Sequence, residues 1–148
     1  MSDKRPMYET PESLAREFVT ANKIASVWGC DAVKLPIKYG LDYAFVKANT
    51  IVAFVELKSR NYTMEAFKSF GGYGLSLHKW NAAKAICESS GKPFCLIVET
   101  SDNKIWYAEY SKFEIMPTVI GGRNDRDDKQ DIEPWVLINT YHFNEITQ

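Results

Sequence analysis

The sequence predicts a mixed α/β (α+β) fold in which helices pack on a central mixed sheet. Helix and strand signals alternate in the order α-β-β-β-α-β-β, and further strands follow towards the C-terminus. The length of 148 residues, with 45% hydrophobic and 25% charged residues, is typical of one soluble globular domain. We therefore expect a single domain over residues 1–148, with a core at about 9–110 and a β extension at about 111–148.

The composition also excludes several classes of protein. A net charge of −1 gives no general attraction to nucleic acid, so binding of a polyanion would require a local basic patch or a bound cation. No apolar run reaches the length of a membrane span, and the N-terminus lacks a signal-peptide core. The three cysteines include no CxxC pair and indicate free thiols in a reducing compartment. We expect a cytoplasmic protein with no membrane partner.

The first helix should begin at Thr10, where a capping hydroxyl precedes proline and glutamate. The apolar residues that follow recur on one helical face, and Gly29 is a typical helix stop. These apolar residues are Leu14, Phe18, Ala21, Ala25 and Trp28. The pattern predicts an amphipathic helix that covers one face of the sheet.

Three strands are predicted after this helix, near residues 32–35, at 39–46 and at 51–58. A turn at 47–50 makes the last two an antiparallel hairpin. A loose glycine-containing stretch then precedes a second helix at about 75–89. The remaining predicted strands lie at 94–99, 104–110, about 113–120 and about 135–143.

The predicted hairpin carries charged residues in apolar surroundings. Asp42 interrupts the run YGLDYAFV, and Glu56 and Lys58 close the run VAFVELKSR on one face of a strand. Two carboxylates at one end of the sheet, with the backbone carbonyl of Leu57, form an oxygen-rich set suited to Mg²⁺ or Mn²⁺. Lys58 could orient or deprotonate a metal-bound water. On these residues alone, a solvated Glu–Lys pair at a strand end is the favoured interpretation.

The pattern D-x13-E-x-K, with the elements around it, resembles the PD-(D/E)xK nuclease superfamily, and most of all small phage-encoded nuclease-like proteins. The resemblance extends from ESLAREFVTANKI through VKLPIKYGLDYAFV and IVAFVELKSR to YGLSLHKWNAAKAI. It implies a restriction-endonuclease-like αβββαβ core. It also implies that Asp42 and Glu56 bind one or two Mg²⁺ or Mn²⁺ ions and that Lys58 assists the attacking water. Leu41 stands where the family usually has proline.

The family often adds a glutamate from the first helix, and Glu9, Glu12 and Glu17 are available. Glu17 lies on the border of the apolar stripe, about 60° from Leu14 around the helix axis. Glu12 lies on the opposite face, and Glu9 precedes the helix. The resemblance therefore implies that Glu17 is the additional metal ligand, although an ion pair with a nearby lysine is an open alternative.

Lys79 is expected near the centre of the apolar stripe of the second helix. The residues that define this stripe are Leu75, Ala82, Ala83 and Ile86. A lysine at such a position needs an anion or a path to water. Near a metal site its partner would be the scissile phosphate or one of the acids, and the resemblance favours a role in positioning the phosphate, shared with Ser76.

Other residues in the flanking segments are expected to contact nucleic acid. The basic rim consists of Lys34, Lys38, Arg60, Lys68 and Lys79, with His78 at its border. Four aromatic residues either stack on bases or belong to the core, namely Tyr39, Tyr62, Tyr73 and Trp80. Arg123 and Arg126, in a charged loop, are further candidates for phosphate contacts.

The resemblance implies a metal-dependent nuclease that hydrolyses phosphodiester bonds, above all in DNA, branched or structured DNA included. Serine-hydrolase, P-loop and HxxxH zinc motifs are absent from the sequence. Two alternatives remain open: a non-catalytic nucleic-acid-binding module, and an accessory module of a larger assembly, each on the same fold. A homodimer is compatible with all three, and a phage-encoded chain would act in the host cytoplasm.

Overall fold

The structure is a computed structural model that describes residues 10–36, 40–109, 118–122 and 132–147. The helices are α1 (Pro11–Val27), α2 (Met64–Ser69), α3 (Leu77–Ser90) and a short 3-10 helix at Thr140–His142. The first five strands are β1 (Asp31–Lys34), β2 (Tyr43–Lys47), β3 (Thr50–Ser59), β4 (Tyr73–Ser76) and β5 (Phe94–Glu99). The other four are β6 (Ile105–Glu109), β7 (Thr118–Gly122), β8 (Ile132–Ile138) and β9 (Asn144–Glu145). This mixed sheet with helices on it confirms the predicted fold class.

The main sheet has six strands in the order β1-β2-β3-β5-β6-β9. The β2–β3 pair is the predicted antiparallel hairpin, whereas β3 and β5 are parallel, with Phe54 opposite Phe94. A parallel neighbour requires a crossover connection, and α2, β4 and α3 lie within it. Strand β3 consequently lies inside the sheet, with its first half paired to β2 and its second half paired to β5.

Helix α1 begins as predicted. The Thr10 hydroxyl accepts a hydrogen bond from the Ser13 amide (3.1 Å), and the Ser13 hydroxyl accepts one from the Thr10 amide (2.9 Å). The helix buries Ala21, Ile24 and Ala25. Phe18 is 47% exposed, so it is not the core residue that the stripe predicts; its ring stacks on Tyr43 at the border of the sheet.

The main sheet separates two apolar clusters. Val55 and Leu57 point to the side covered by α1, together with Tyr43 and Phe45 of β2. Phe54 packs on the opposite side, where α2 and α3 contribute Phe67 and Ala83. Because side chains alternate along β3, Glu56 and Lys58 share one face, as the sequence predicts, and this face lies on the α3 side.

The region after β3 differs from its prediction as a loose stretch. Thr63 caps α2 by accepting a hydrogen bond from the Ala66 amide. Leu75 lies in β4 rather than in α3, which begins two residues later than predicted. Strand β4 pairs with β8 and β8 with β7, so these three form a second sheet instead of extending the first. A side chain at Gly74 would clash with the Trp135 ring, which explains the glycine in β4.

Two further findings bear on the sequence predictions. Among the described ranges, no helix is long and apolar enough to span a membrane. Cys30, Cys87 and Cys95 are free thiols, as expected, and Cys95 is buried.

Candidate active site

Asp42 lies at the entrance to β2, where two contacts with β3 fix it. Its amide donates a hydrogen bond to the Val55 carbonyl (3.2 Å), and its Oδ2 accepts one from the Leu57 amide (2.9 Å). Strand β2 begins at Tyr43, so the prediction that Asp42 lies inside the strand is wrong by one residue. On the β2 edge, the Leu57 amide thus bonds to the Asp42 carboxylate instead of to a backbone carbonyl. This bond holds the Asp42 side chain beside Glu56.

Glu56 is the acidic centre of the site. Its side chain has no exposed surface, and it lies in β3 between two lysines. Lys58 Nζ is 3.0 Å from Oε2, and Lys79 Nζ is 3.3 Å from Oε1. Both contacts are ion pairs with the buried carboxylate, and the Lys58 contact is the shorter. Burial raises the pKa of Glu56, although both ammonium groups oppose this shift.

Lys58 reaches the same acidic centre from the end of β3. Burial lowers the pKa of its ammonium, but the carboxylates of Glu56 and Asp42 outweigh this effect, and the net shift is upward. Lys58 is therefore charged at neutral pH and acts as a donor rather than as a proton acceptor in this arrangement.

Lys79 approaches Glu56 from α3. Its ammonium also donates a hydrogen bond of 2.7 Å to the carbonyl of Gly40, which lies two residues before Asp42. The sequence left two partners open for Lys79, an acid or the scissile phosphate. In the structure its partner is the acid Glu56. Lys79 thus ties α3 to the two segments that carry Asp42 and Glu56.

Lys79→Met should lower the free energy of unfolding of the metal-free protein by about 1–3 kcal/mol, because it removes one of two cations beside a buried carboxylate. The loss should shrink as the pH falls, because burial raises the pKa of Glu56 and its neutral form needs no cation. Urea unfolding at two pH values measures both effects. Lys84→Met, at an exposed position of the same helix, is the matched control. Equal stability of the two variants would contradict the structural role of the Lys79 pair.

Glu17 is joined to the site through Lys34. Lys34 Nζ is 3.4 Å from Glu17 Oε1 and 3.5 Å from Asp42 Oδ1. The pairing of β1 with β2 places Lys34 opposite Tyr43, directly beside Asp42. The sequence assigned Lys34 only to a basic rim, because its position depends on this strand register.

The other predicted contact residues have the following positions. Ser76 caps α3, since its hydroxyl accepts a hydrogen bond from the Lys79 amide (3.2 Å). His78 is exposed in the first turn of α3, and Arg60 lies over the ring of the buried Tyr73. Four of the predicted contact residues lie outside the described ranges, namely Lys38, Tyr39, Arg123 and Arg126.

Asp42, Glu56 and the Leu57 carbonyl offer oxygen atoms of the kind that a hard divalent cation binds. Within the described ranges, no three His, Cys, Asp or Glu side chains form a complete metal cluster. Mg²⁺ needs no such cage, since it commonly binds one or two carboxylates together with waters and substrate phosphates. Asp42 and Glu56 supply two carboxylates. The Leu57 carbonyl points to the same strand edge as the Leu57 amide, which faces Asp42.

A cleft of about 590 Å³ opens on the α1 side of the sheet. Its lining includes Glu17, Leu57, Ser59 and Glu99, but not Asp42, Glu56 or Lys58. The cleft therefore borders the charged centre through Glu17 and Leu57, and its volume alone does not identify the site. The candidate site is instead defined by the grouping of carboxylates and ammonium groups around Glu56.

Two comparisons with known proteins bear on the fold and the family of this chain. No curated protein matches the chain. The fold is similar to that of Hjc, a Holliday junction resolvase from Archaeoglobus fulgidus, with a TM-score of 0.52 and 11% sequence identity, over 86% of this chain and 89% of that chain. A family model described as phage putative PDDEXK endonuclease matches residues 3–146, nearly the whole sequence. The chain therefore belongs to the family of phage putative PDDEXK endonucleases.

Proposed function

We propose that the protein is a metal-dependent nuclease that hydrolyses phosphodiester bonds in DNA through a metal-activated water. The observation that carries this proposal is the position of Glu56, a fully buried carboxylate held between two ammonium groups next to Asp42. Burying a carboxylate with two ammonium groups costs desolvation energy that ion pairing often fails to repay, so this arrangement is a poor device for stability alone. It is well suited to a site that receives a cation and a phosphate.

The roles of the acidic residues follow from their positions. Asp42 and Glu56 would hold one or two Mg²⁺ or Mn²⁺ ions, with the Leu57 carbonyl and with Glu17 across the strand edge. A bound ion would lower the pKa of a water and neutralise charge on the phosphate. Asp42 is fixed by its bond to Leu57, so this ligand needs little rearrangement.

The lysines would act on the other reactants. Lys58 is a charged donor at the end of β3, where it would orient the attacking water or stabilise the negative charge that develops on the phosphate. Lys79 would position the phosphate once a cation has replaced it beside Glu56. The flanking DNA backbone would be contacted by four further residues, namely Ser76, Lys38, Arg60 and His78.

A cleavage assay tests the proposal. Purified protein is incubated with supercoiled, linear, single-stranded and four-way-junction DNA in Mg²⁺, Mn²⁺ or EDTA. We expect cleavage in Mg²⁺ or Mn²⁺ and none in EDTA. Binding of DNA without cleavage under every condition would instead support the non-catalytic module. Junction DNA is included because the fold is similar to that of a resolvase, and sedimentation analysis would test for a homodimer. For a phage-encoded nuclease, the host cytoplasm is the expected compartment.

Lys34→Met should tighten Mn²⁺ binding by about tenfold. Lys34 contacts Glu17 and Asp42, so it competes with a metal ion for the two carboxylates, and each of these partly exposed pairs contributes at most about 1 kcal/mol. Isothermal titration calorimetry measures the change. Lys23→Met, at an exposed position of α1, is the control. Weaker Mn²⁺ binding by Lys34→Met would mean that Lys34 organises the site rather than competing with the ion.

A further inference from the structure

Two aromatic side chains lie exposed in the segment that follows β3. Tyr62 is 50% exposed and Phe70 is 58% exposed. Their ring centroids are 5.3 Å apart and their planes are perpendicular. The buried Phe67 supports both rings from behind, at 5.8 Å from Tyr62 and 6.4 Å from Phe70. We call the two exposed rings the aromatic corner.

The aromatic corner lies close to the proposed catalytic centre. Tyr62 follows Lys58 by four residues, so their Cα atoms are at most about 14 Å apart. This is roughly four base steps of stacked DNA at about 3.4 Å per step. Phe67 and Met64 of α2 pack on the same side of the main sheet as Phe54, which is also the side of Glu56 and Lys58. The Tyr62 carbonyl accepts a hydrogen bond from the Ser101 amide (3.1 Å), which anchors this segment to the body of the protein.

The charges around the aromatic corner suit a polyanion. Beyond the ion pair of Lys58 with Glu56, the segment from Ser59 to Phe70 contains two basic residues, Arg60 and Lys68, and one acidic residue, Glu65, although the whole chain has a net charge of −1. Local positive charge next to exposed rings is the combination used to hold the backbone and bases of an unpaired strand.

We propose that the aromatic corner binds an unpaired base of the DNA substrate near the scissile phosphate. This inference rests on the proposed function and deepens it, since it assigns a substrate form: DNA that carries an unpaired base beside the cleavage point. Inside a duplex both faces of a base are covered by its neighbours, so a ring can stack only where a base is free. Because the two rings are perpendicular, one can stack on the base while the other meets its edge, and the corner holds one base at a time.

Fluorescence anisotropy in EDTA, which prevents metal-dependent cleavage, tests this proposal with two probes. One is a blunt duplex, and the other is the same duplex with a short single-stranded arm carrying 2-aminopurine. Wild-type protein should bind the armed probe about tenfold more tightly and quench its 2-aminopurine fluorescence. Tyr62→Ser and Phe70→Ser should remove the preference and the quenching without weakening binding to the blunt duplex. Tyr62→Phe keeps the ring and should keep both properties, and Phe70→Leu serves if Phe70→Ser fails to fold.

Val27→Ser is the control for loss of an exposed apolar side chain, about 15 Å along α1 from Glu17. It should change neither probe. Equal loss on both probes in the Tyr62→Ser variant, or no loss on either, would overturn the proposal. So would a change in oligomeric state in these variants, which would make the corner a contact between copies. If wild-type protein cleaves duplex DNA but shows no preference, only this inference fails; if it neither binds nor cleaves any DNA, the proposed function fails with it.

Discussion

Lys58→Met should slow DNA cleavage by about a hundredfold to ten-thousandfold while the protein remains folded. Lys58 is the only described cation that both ends the strand of Glu56 and contacts its Oε2. Methionine keeps most of the apolar length of the side chain, so packing at the end of β3 should be preserved. Lys79 still accompanies Glu56 in this variant, which limits the loss of stability. Single-turnover cleavage at saturating Mn²⁺ measures the catalytic effect without the contribution of substrate release.

Two further variants make this result specific to the Lys58 ammonium. Lys47→Met removes an exposed lysine from the end of β2 and should leave cleavage unchanged. Lys58→Arg keeps the charge with a different donor geometry and should recover part of the rate. Calorimetry with Mn²⁺ should still detect binding by Lys58→Met. Turnover near the wild-type rate in a folded Lys58→Met protein would remove Lys58 from the mechanism.

Asp42→Asn should abolish Mn²⁺ binding and metal-dependent cleavage with little change in stability. The asparagine side chain retains an oxygen that can accept the hydrogen bond from the Leu57 amide, but it loses the negative charge that a divalent cation requires. Asp42→Ala should lose metal binding as well, and in addition about 1–3 kcal/mol of stability, because the buried Leu57 amide is left without its acceptor.

The comparison of the two Asp42 variants separates ligation from structure. Calorimetry with Mn²⁺ and urea unfolding are carried out on both proteins. Asp31→Asn, an exposed acid at the start of β1, is the control and should retain metal binding. Mn²⁺ binding that survives in folded Asp42→Asn would refute the assignment of Asp42 as a ligand. Equal stability of Asp42→Asn and Asp42→Ala would show that the bond to Leu57 contributes nothing measurable.

The parts of the molecule that could be predicted from the sequence are those that local physical chemistry determines. The α1 start follows from the Thr10 cap, and the β2–β3 hairpin from its turn and apolar runs. The shared face of Glu56 and Lys58 follows from strand alternation, since a two-residue spacing has only one outcome in a regular strand. An acid could be named in advance among the partners of Lys79, because a lysine facing a core needs an anion or a path to water.

The parts that could not be predicted depend on contacts between distant segments. Strand β4 is only four residues long, and it is a strand because β8, some sixty residues later, pairs with it. Residues 75 and 76 fit a helical stripe equally well until that partner is known. Lys34 bridges two carboxylates only because β1 pairs with β2 in one register. The six-residue helix α2 is too short to give a clear periodic signal.

The central position of β3 has a consequence for motion at the site. The amides of an inner strand, which has a neighbour on each edge, exchange with solvent mainly through global unfolding. Edge strands and short helices open more easily. Glu56 and Leu57 pair on one edge with residues forty positions away in β5, and on the other edge the Leu57 amide is held by the Asp42 carboxylate, so we expect slow exchange at Leu57. If the protein binds and cleaves DNA as proposed, adjustment to the substrate would come from the lysine side chains and from the short segments that flank β3. Strand β3 would then set the position of the reacting phosphate, and these flanking parts would adapt to the shape of the DNA around it.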